Sequence, residues 1–392
     1  MKANKKNIML YIMAILLFHS SIIKFNYSQN GNVISLVLGV VVFLYLLLKH
    51  KTIFKKKYLK VNILIILFAI IALFSSIIND FYNFDGTVLY ILKFINLFLF
   101  FEYSGELGKN KNVIKLLFCL LLFYNLLTIF MLNQTQLLAY YHNYQYPFYA
   151  TKFSLSYFFM IAIILFLYGF KESLKKRIIP KIILLFLCYL SLSMAIRVDC
   201  VTGVVGNIIL FFLLFIPFKS LKMIVRNKKT IILLMIISSF TLIVFFDVLM
   251  NIPLVNHLVV DTFERNVTLS GRNVVYQKIP DYLFSLKGLS FGYSYDGVRR
   301  IFQNVMFISS NHYAYDAQNA LLEIWMYFGL IGSIVFLTLT KAIYTDFNNL
   351  KKADNNEIYI LAFVFIILGI VEITYSFPLF LLFAIINSDS KS

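Results

Sequence analysis

Apolar runs of membrane length, separated by short polar connections, make up most of this 392-residue chain. A helix needs roughly 20 apolar residues to cross about 30 Å of hydrocarbon. Runs close to that length cover 7–24, 33–49, 61–79, 87–103, 113–132, 153–170, 181–198, 201–218, 230–250, 318–340 and 358–376. A further run at 377–388 is too short to cross unaided, although Pro378 can start a helix there.

These runs predict an all-α, polytopic integral membrane protein with about 12 transmembrane helices, or 11 if the last run is re-entrant. The composition agrees, because 60% of the residues are hydrophobic and only 14% are charged, whereas a soluble protein has about a quarter charged residues. We therefore expect residues 1–392 to form a single transmembrane domain. The three cysteines have no metal-ligand spacing and no Walker-type phosphate loop occurs, so we expect neither a metal nor another cofactor.

The basic residues predict how the chain is oriented. The connections at 49–60, 171–181 and 219–229 carry six, five and five Lys or Arg residues, whereas those at 25–32 and 80–86 have none. Because short cytoplasmic loops are enriched in Lys and Arg, we expect a cytoplasmic N-terminus. Most of the net charge of +18 lies in such short clusters. The positive charge therefore indicates membrane topology, and we expect no nucleic-acid partner.

Residues 251–317 form a long polar segment between the ninth and tenth predicted helices, and the orientation makes it extracytoplasmic. Loops of this length are usually functional or disordered. Apolar and aromatic residues occur throughout this one. The segment is therefore predicted to be a folded element on a membrane scaffold.

Four arginines in this segment are candidate ligands for an anion: Arg265, Arg272, Arg299 and Arg300. A guanidinium group binds phosphate or carboxylate through two parallel hydrogen bonds, which lysine cannot match. A turn at 270–271 leading into a helix places Arg272 best. For Arg299 and Arg300 the alternative is ordinary surface salt bridges, which contribute little.

Aromatic residues and a histidine in the same segment are candidate sugar contacts. Tyr293 belongs to this group, with Tyr295, Tyr313 and Tyr315, because aromatic faces pack on the apolar faces of sugar rings. His312 is a candidate general base, because histidine as a residue type changes its protonation near neutral pH. The alternative for His312 is a structural role.

Charged residues within or beside the apolar runs are a second group of candidates. Arg197 lies between the seventh and eighth runs, where a charge is costly unless it is paired or binds a ligand. It could pair with Asp199, or it could form an anion site. Lys93 could reach the interface with its long side chain or contact substrate. Glu323 and Glu372, in or near the tenth and eleventh runs, are further functional candidates.

Several of these residues occur in an order that resembles a known superfamily. The pattern comprises Arg197, Ser270-Gly271-Arg272, a Gly-x-x-x-Gly-Tyr turn (Gly288, Gly292, Tyr293), Asn-x-Leu-Leu (Asn319, Leu321, Leu322) and Gly-Leu-Ile-Gly (Gly329, Leu330, Ile331, Gly332). In order and topology it resembles the O-antigen ligase and Wzy-type polysaccharide polymerase superfamily. The sequence-specific part of the resemblance covers about 197–332.

The resemblance implies a glycosyltransferase of the bacterial cytoplasmic membrane that needs neither metal nor nucleotide. It would join oligosaccharide repeat units carried on undecaprenyl pyrophosphate at the outer membrane face. Arg197 and Arg272, and less directly Arg265, would hold the pyrophosphate. Ligases carry a histidine immediately before the asparagine of the following helix, where this chain has Gln318 before Asn319. That departure favours a polymerase, with Gln318 and Asn319 as substrate contacts and His312 as a candidate base.

The resemblance also implies partners, and other functions stay open. The partners are the lipid-linked oligosaccharide, membrane lipid, and flippase and chain-length regulator proteins. The alternatives are an O-antigen ligase-type transferase, a flippase or other transporter of lipid-linked glycans, and a scaffold or sensor without chemistry. Transporters tend to have internal repeats and broken helices. Their loops are usually short, so the long segment argues against transport.

Overall fold

The structure is a computed structural model that describes residues 2–21, 31–49, 55–79, 84–133, 148–149, 151–216, 224–253, 257, 272–305, 307–309, 312–313, 316–344 and 356–389. The helices are α1 Lys2–Ser21, α2 Gly31–Lys49, α3 Lys56–Ile78, α4 Phe84–Glu106, α5 Asn110–Leu132, α6 Lys152–Gly169, α7 Lys171–Lys176, α8 Ile178–Arg197, α9 Val201–Phe215, α10 Lys228–Met250, α11 Arg272–Leu283, α12 Leu286–Leu289, α13 Tyr295–Val305, α14 Ala320–Ile343, α15 Asn356–Leu368 and α16 Phe377–Asp389. Strands β1 Phe307–Ser309 and β2 His312–Tyr313 form an antiparallel ribbon in the long polar segment.

Each predicted apolar run overlaps a helix, and helices dominate the described residues. By length and composition, six of the described helices can cross a membrane: α3, α4, α5, α6, α8 and α14. Five shorter apolar helices accompany them. The prediction of an all-α membrane protein is confirmed at this level.

The eleventh predicted run, 358–376, is wrong at its C-terminal end. Helix α15 stops at Leu368, and a turn leads from there into α16. Its end is bonded to the start of α14, since the Gly369 carbonyl accepts a hydrogen bond from the Ala320 amide at 2.8 Å. Because the Gly369 carbonyl accepts its hydrogen bond from α14, it does not accept one from an amide that would extend α15. The helix therefore ends inside the apolar run.

The short last helix lies at the centre of the bundle. Residues Pro378 to Ser388 of α16 are buried, and the helix packs mainly on α4 and also against α14 and α15. A helix surrounded by protein need not match the thickness of the hydrocarbon layer, because its ends meet other helices rather than lipid. This explains why an apolar run of about a dozen residues is placed there.

The described part of the long polar segment is folded and has its own apolar core. Helix α11 contributes Val275 and Ile279, α13 contributes Phe302, and α14 contributes Leu322 and Trp325. All five are buried. The segment is therefore packed onto the first turns of α14.

The same segment also bonds to α14 where that helix is broken. Gly329 has φ 71° and ψ −177°, which interrupts the helix. The carbonyls of Met326 and Tyr327 accept hydrogen bonds from the amides of Tyr293 at 2.8 Å and Ser294 at 3.0 Å. The Ser75 hydroxyl of α3 also donates to Tyr327 at 2.8 Å. Backbone of the segment thus replaces the helix's own hydrogen bonds.

Two glycines allow the chains to approach at this break. A Cβ on Gly329 would lie 2.0 Å from the Ser290 carbonyl oxygen, and one on Gly292 would lie 2.4 Å from the Gly329 nitrogen. Both residues have positive φ, which disfavours any other amino acid. The Gly-x-x-x-Gly-Tyr and Gly-Leu-Ile-Gly motifs therefore meet in the fold.

We predict that Gly329→Ala lowers the free energy of unfolding by about 2–5 kcal/mol, because left-handed strain and backbone overlap add together. Gly108→Ala is the matched control, since Gly108 has φ 63° with nothing within 4 Å of its Cβ position. That variant should lose only about 1–2 kcal/mol. Unfolding of both variants in mixed detergent micelles measures the difference, and equal losses would contradict the contact at Ser290.

Candidate functional site

The start of α14 is a junction built on the side chain of Asn319. Its Oδ1 accepts hydrogen bonds from the amides of Leu321 and Leu322, both at 3.1 Å, and so caps the helix. Ser239 of α10 donates to the same oxygen at 3.0 Å, and Nδ2 donates to the Ile370 carbonyl at 2.9 Å. Asn319, predicted as a substrate contact, is fully buried and ties three parts of the bundle together.

Gln318 precedes this cap in a conformation unusual for its residue type. Its φ is 52°, in the left-handed region that most side chains avoid. Its amide donates to Asp316 Oδ1 at 3.0 Å, and its carbonyl accepts from the Tyr276 hydroxyl at 3.0 Å. These bonds fix the turn between the polar segment and α14.

A buried carboxyl lies in the first turn of α14. Glu323 is completely buried, and its Oε2 accepts a hydrogen bond from the Ala317 amide at 2.6 Å. Oε1 accepts no hydrogen bond from the residues that the structure describes. The Asp316 carboxyl interacts with it electrostatically, and the Tyr327 hydroxyl faces it as a weak hydrogen-bond donor outside normal hydrogen-bond geometry.

Tyr90 and Tyr327 interact with this carboxyl and Tyr295 packs on both rings, and we call Asp316, Glu323, Tyr90, Tyr295 and Tyr327 the carboxylate–tyrosine cluster. The rings of Tyr295 and Tyr327 are 5.0 Å apart, and those of Tyr90 and Tyr295 are 6.1 Å apart. Tyr90 comes from α4, Tyr295 from α13 and Tyr327 from α14. The cluster is therefore formed only when the polar segment is docked on the bundle.

One edge of the cluster is at the protein surface. Tyr295 is 38% exposed, and Asp316 is half-buried. Arg299 is exposed one helical turn beyond Tyr295, on the same side of α13. Aromatic faces, carboxyl groups and a nearby guanidinium are the groups that bind sugars and their charged carriers.

Arg197 is bonded to the end of a neighbouring helix. Its two terminal nitrogens donate to Asn133 Oδ1 at 2.6 Å and to the Leu132 carbonyl at 2.9 Å, at the C-terminus of α5. Asp199 interacts instead with Lys152, at 3.9 Å between Nζ and Oδ2. The alternative of an Arg197–Asp199 pair is therefore wrong. Arg197 is exposed, and a guanidinium has five N–H donors, so this contact leaves donors for a ligand.

Tyr293 contacts the segment's own core. Its hydroxyl lies 2.5 Å from Ser285 Oγ and donates to the Tyr282 carbonyl at 3.2 Å. Burial raises the pKa of Tyr282, with Tyr293 and Asp281 adding to the effect, so this phenol stays neutral at physiological pH. Tyr293 thus supports the turn that meets α14.

The remaining predicted residues are placed to different extents. Arg272 is the first residue of α11, within one residue of the predicted helix start, and His312 is the first residue of β2. Arg300 is exposed on α13, and Lys93 is half-buried in α4. Arg265 lies outside the described residues. The predicted roles of all these residues stay predictions.

Sequence reasoning identified only part of the carboxylate–tyrosine cluster. Glu323 and Tyr295 were candidates, whereas Asp316, Tyr90 and Tyr327 were not. The spacing of four residues between Glu323 and Tyr327 was an available signal, since such residues share a helix face. Tyr90 had none, because it reaches the cluster from a helix more than 200 residues earlier.

Comparison with known proteins gives no relative for this chain: no protein-family model, no curated protein and no solved structure matches it. The site is therefore interpreted from its own geometry and from the motif resemblance.

We predict that Asn319→Ala destabilises the protein by about 2–4 kcal/mol, because it removes a helix cap and leaves the partly buried Ile370 carbonyl without its donor. Thr151→Ala is the matched control: Thr151 is exposed and caps α6 through one hydrogen bond, from the Ser154 amide at 3.1 Å. It should cost about 1 kcal/mol. Unfolding in detergent compares them, and an Asn319 variant no worse than the control would show that the junction contributes little.

Proposed function

We propose that this protein is a polymerase of lipid-linked glycans. It would join oligosaccharide repeat units carried on undecaprenyl pyrophosphate into a surface polysaccharide. The observation that carries the proposal is the contact between Gly292 and Gly329. The two glycine motifs on which the superfamily resemblance depends are about 40 residues apart in sequence, and their backbones touch.

The proposed topology has twelve helices crossing or entering the bacterial cytoplasmic membrane, with a cytoplasmic N-terminus and residues 251–317 outside. The basic clusters support this orientation. Helices α11 and α13 both pack on α14, so the polar segment would lie at one face of the membrane. Substrate would reach the carboxylate–tyrosine cluster from the outer leaflet.

The proposed chemistry is transfer of a glycan from one lipid carrier to the end of another. A hydroxyl of the acceptor sugar attacks the anomeric carbon of the donor, and undecaprenyl pyrophosphate leaves with the bonding electrons. Arg272 and Arg197, with Arg265 in support, hold the pyrophosphate. Each charge-assisted hydrogen bond contributes about 1.5–3 kcal/mol, and bonds that strengthen as charge develops lower the barrier.

Transport of lipid-linked glycans is the second candidate, because α14 is broken and transporters use broken helices. In transporters, however, the freed backbone groups bind substrate or ions. Here the freed carbonyls of Met326 and Tyr327 are bonded by backbone amides of Tyr293 and Ser294. The break therefore works as a docking joint for the polar segment, which favours the polymerase.

We predict that Arg272→Ala and Arg197→Ala each abolish long-chain polymer, while the protein still accumulates in the membrane. Arg→Lys at the same positions should also fail, since lysine cannot form the two-pronged contact to phosphate. Arg177→Ala is the control, because Arg177 is exposed beside the opposite end of α8 from Arg197. Chain length on a glycan gel is the measurement.

The outcomes separate the candidates. Normal chain lengths from both arginine variants would rule out the pyrophosphate role. A transporter would instead be indicated if single repeat units were trapped on the cytoplasmic side. This is measured by labelling the glycan with a reagent that does not cross the membrane. Loss of polymer in the Arg177 variant as well would show that the effect comes from loss of charge in general.

A further inference from the structure

We infer that Glu323 accepts the proton of the attacking acceptor hydroxyl, which makes the carboxylate–tyrosine cluster the acceptor-sugar subsite. This inference rests on the proposed function. Its starting point is the one-sided bonding of the Glu323 carboxyl: Oε2 is held by the Ala317 amide at 2.6 Å, whereas Oε1 has no hydrogen-bond partner within the described structure.

Such one-sided bonding calls for an explanation, because leaving a buried polar atom unbonded costs about 1–3 kcal/mol. A second completely buried glutamate, Glu102, provides the comparison. Glu102, also fully buried, accepts hydrogen bonds from Asn62 Nδ2 at 3.1 Å and Asn387 Nδ2 at 2.9 Å, one on each oxygen. Glu323 is as completely buried as Glu102, but its Oε1 is unbonded within the described structure. This is expected if a ligand supplies the missing donor.

The surroundings of Glu323 indicate which donor that is. The titratable groups that face it in the described structure are Asp316, Tyr327 on its own helix, and Tyr90 from α4. Tyr295 stacks beside two of these rings and is exposed. Aromatic rings beside acceptor oxygens suit a sugar ring, which offers apolar C–H faces and hydroxyl donors.

The same geometry disfavours the donor pyrophosphate at this position. Two carboxyl groups, Glu323 and Asp316, would repel an anion. An uncharged sugar hydroxyl has no such penalty, and it becomes acidic as it attacks. The acceptor end of the growing glycan is therefore the substrate that fits.

In the reaction, the O–H bond of the acceptor breaks and its proton moves to Oε1 of Glu323. The acceptor oxygen forms a bond to the anomeric carbon, while the bond from that carbon to the pyrophosphate oxygen breaks. The leaving group carries away the electron pair as undecaprenyl pyrophosphate. The Ala317 amide keeps the carboxyl oriented throughout, and Glu323 then releases its proton to solvent.

The test uses Glu323→Gln in the full-length protein, purified in detergent. The amide can still accept the Ala317 hydrogen bond but cannot accept a proton. The substrate is the lipid-linked oligosaccharide extracted from cells of the source organism that lack this protein. Polymer formation should fall about 100-fold or more, the usual contribution of a general base.

Azide distinguishes a proton acceptor from a structural residue. Azide is a nucleophile that carries no proton to remove, so it can replace the acceptor sugar and yield a glycosyl azide and free undecaprenyl pyrophosphate. Glu323→Gln should release undecaprenyl pyrophosphate with azide at close to the wild-type rate. A merely structural role predicts that the azide reaction is lost together with polymer.

Glu102→Gln is the matched control for removing a buried carboxylate. It should lower the unfolding temperature, because its amide group would oppose the Asn62 and Asn387 donors, while folded protein still makes polymer. A Glu323→Gln variant that polymerises within threefold of wild type would overturn the inference, as would loss of both reactions. If the wild-type protein releases no undecaprenyl pyrophosphate with either nucleophile, the proposed function itself fails.

Discussion

The hydrogen bonds that close the gap in α14 at Gly329 are the interaction on which the rest of this structure depends. In a membrane no water is available to bond a freed backbone group, so a helix can break only where other protein supplies donors. Here the amides of Tyr293 and Ser294 do so. The polar segment and the bundle therefore support each other, because the Met326 carbonyl has its donor only when Tyr293 is docked on it.

This dependence fixes the geometry of the candidate site. The Asn319 cap sets where α14 begins, and its bonds to Ser239 and Ile370 hold that start against α10 and the turn that follows α15. Glu323 follows one turn later, and the same turn directs the Ala317 amide at it. The Glu323 side chain starts from α14 and its carboxyl is bonded to the Ala317 amide, so it has little freedom to reorient. A catalytic or binding group requires such fixed placement.

Much of the helical layout could be predicted from the sequence, because an apolar run of membrane length has few other ways to fold. The end of α15 could not, since it depends on a bond between the Gly369 carbonyl and Ala320, which no local pattern encodes. The contacts of Arg197 could not be predicted either. Asp199 is its nearest charged neighbour in sequence, but Arg197 donates to residues at the end of α5. The glycine motifs could be recognised in the sequence. The place of Tyr90 in the cluster could not, because it depends on packing between helices that are distant in sequence.

The charges around the candidate site bear on how the proposed enzyme would hold two glycans. In the proposed reaction the donor brings a pyrophosphate, and the acceptor brings a neutral sugar that must lose a proton. Guanidinium groups bind the pyrophosphate, and a carboxylate accepts the proton of the acceptor sugar. In a single mixed pocket the guanidinium and carboxylate groups would pair with each other and bind neither substrate well. Separation resolves this conflict. Glu323 is buried beside Tyr90 and Tyr327, while Arg197 is exposed at the end of α8 and Arg299 at the edge of the cluster. The anomeric carbon would then react where the two environments meet, with the departing negative charge drawn toward the arginines and the proton drawn toward the carboxyl.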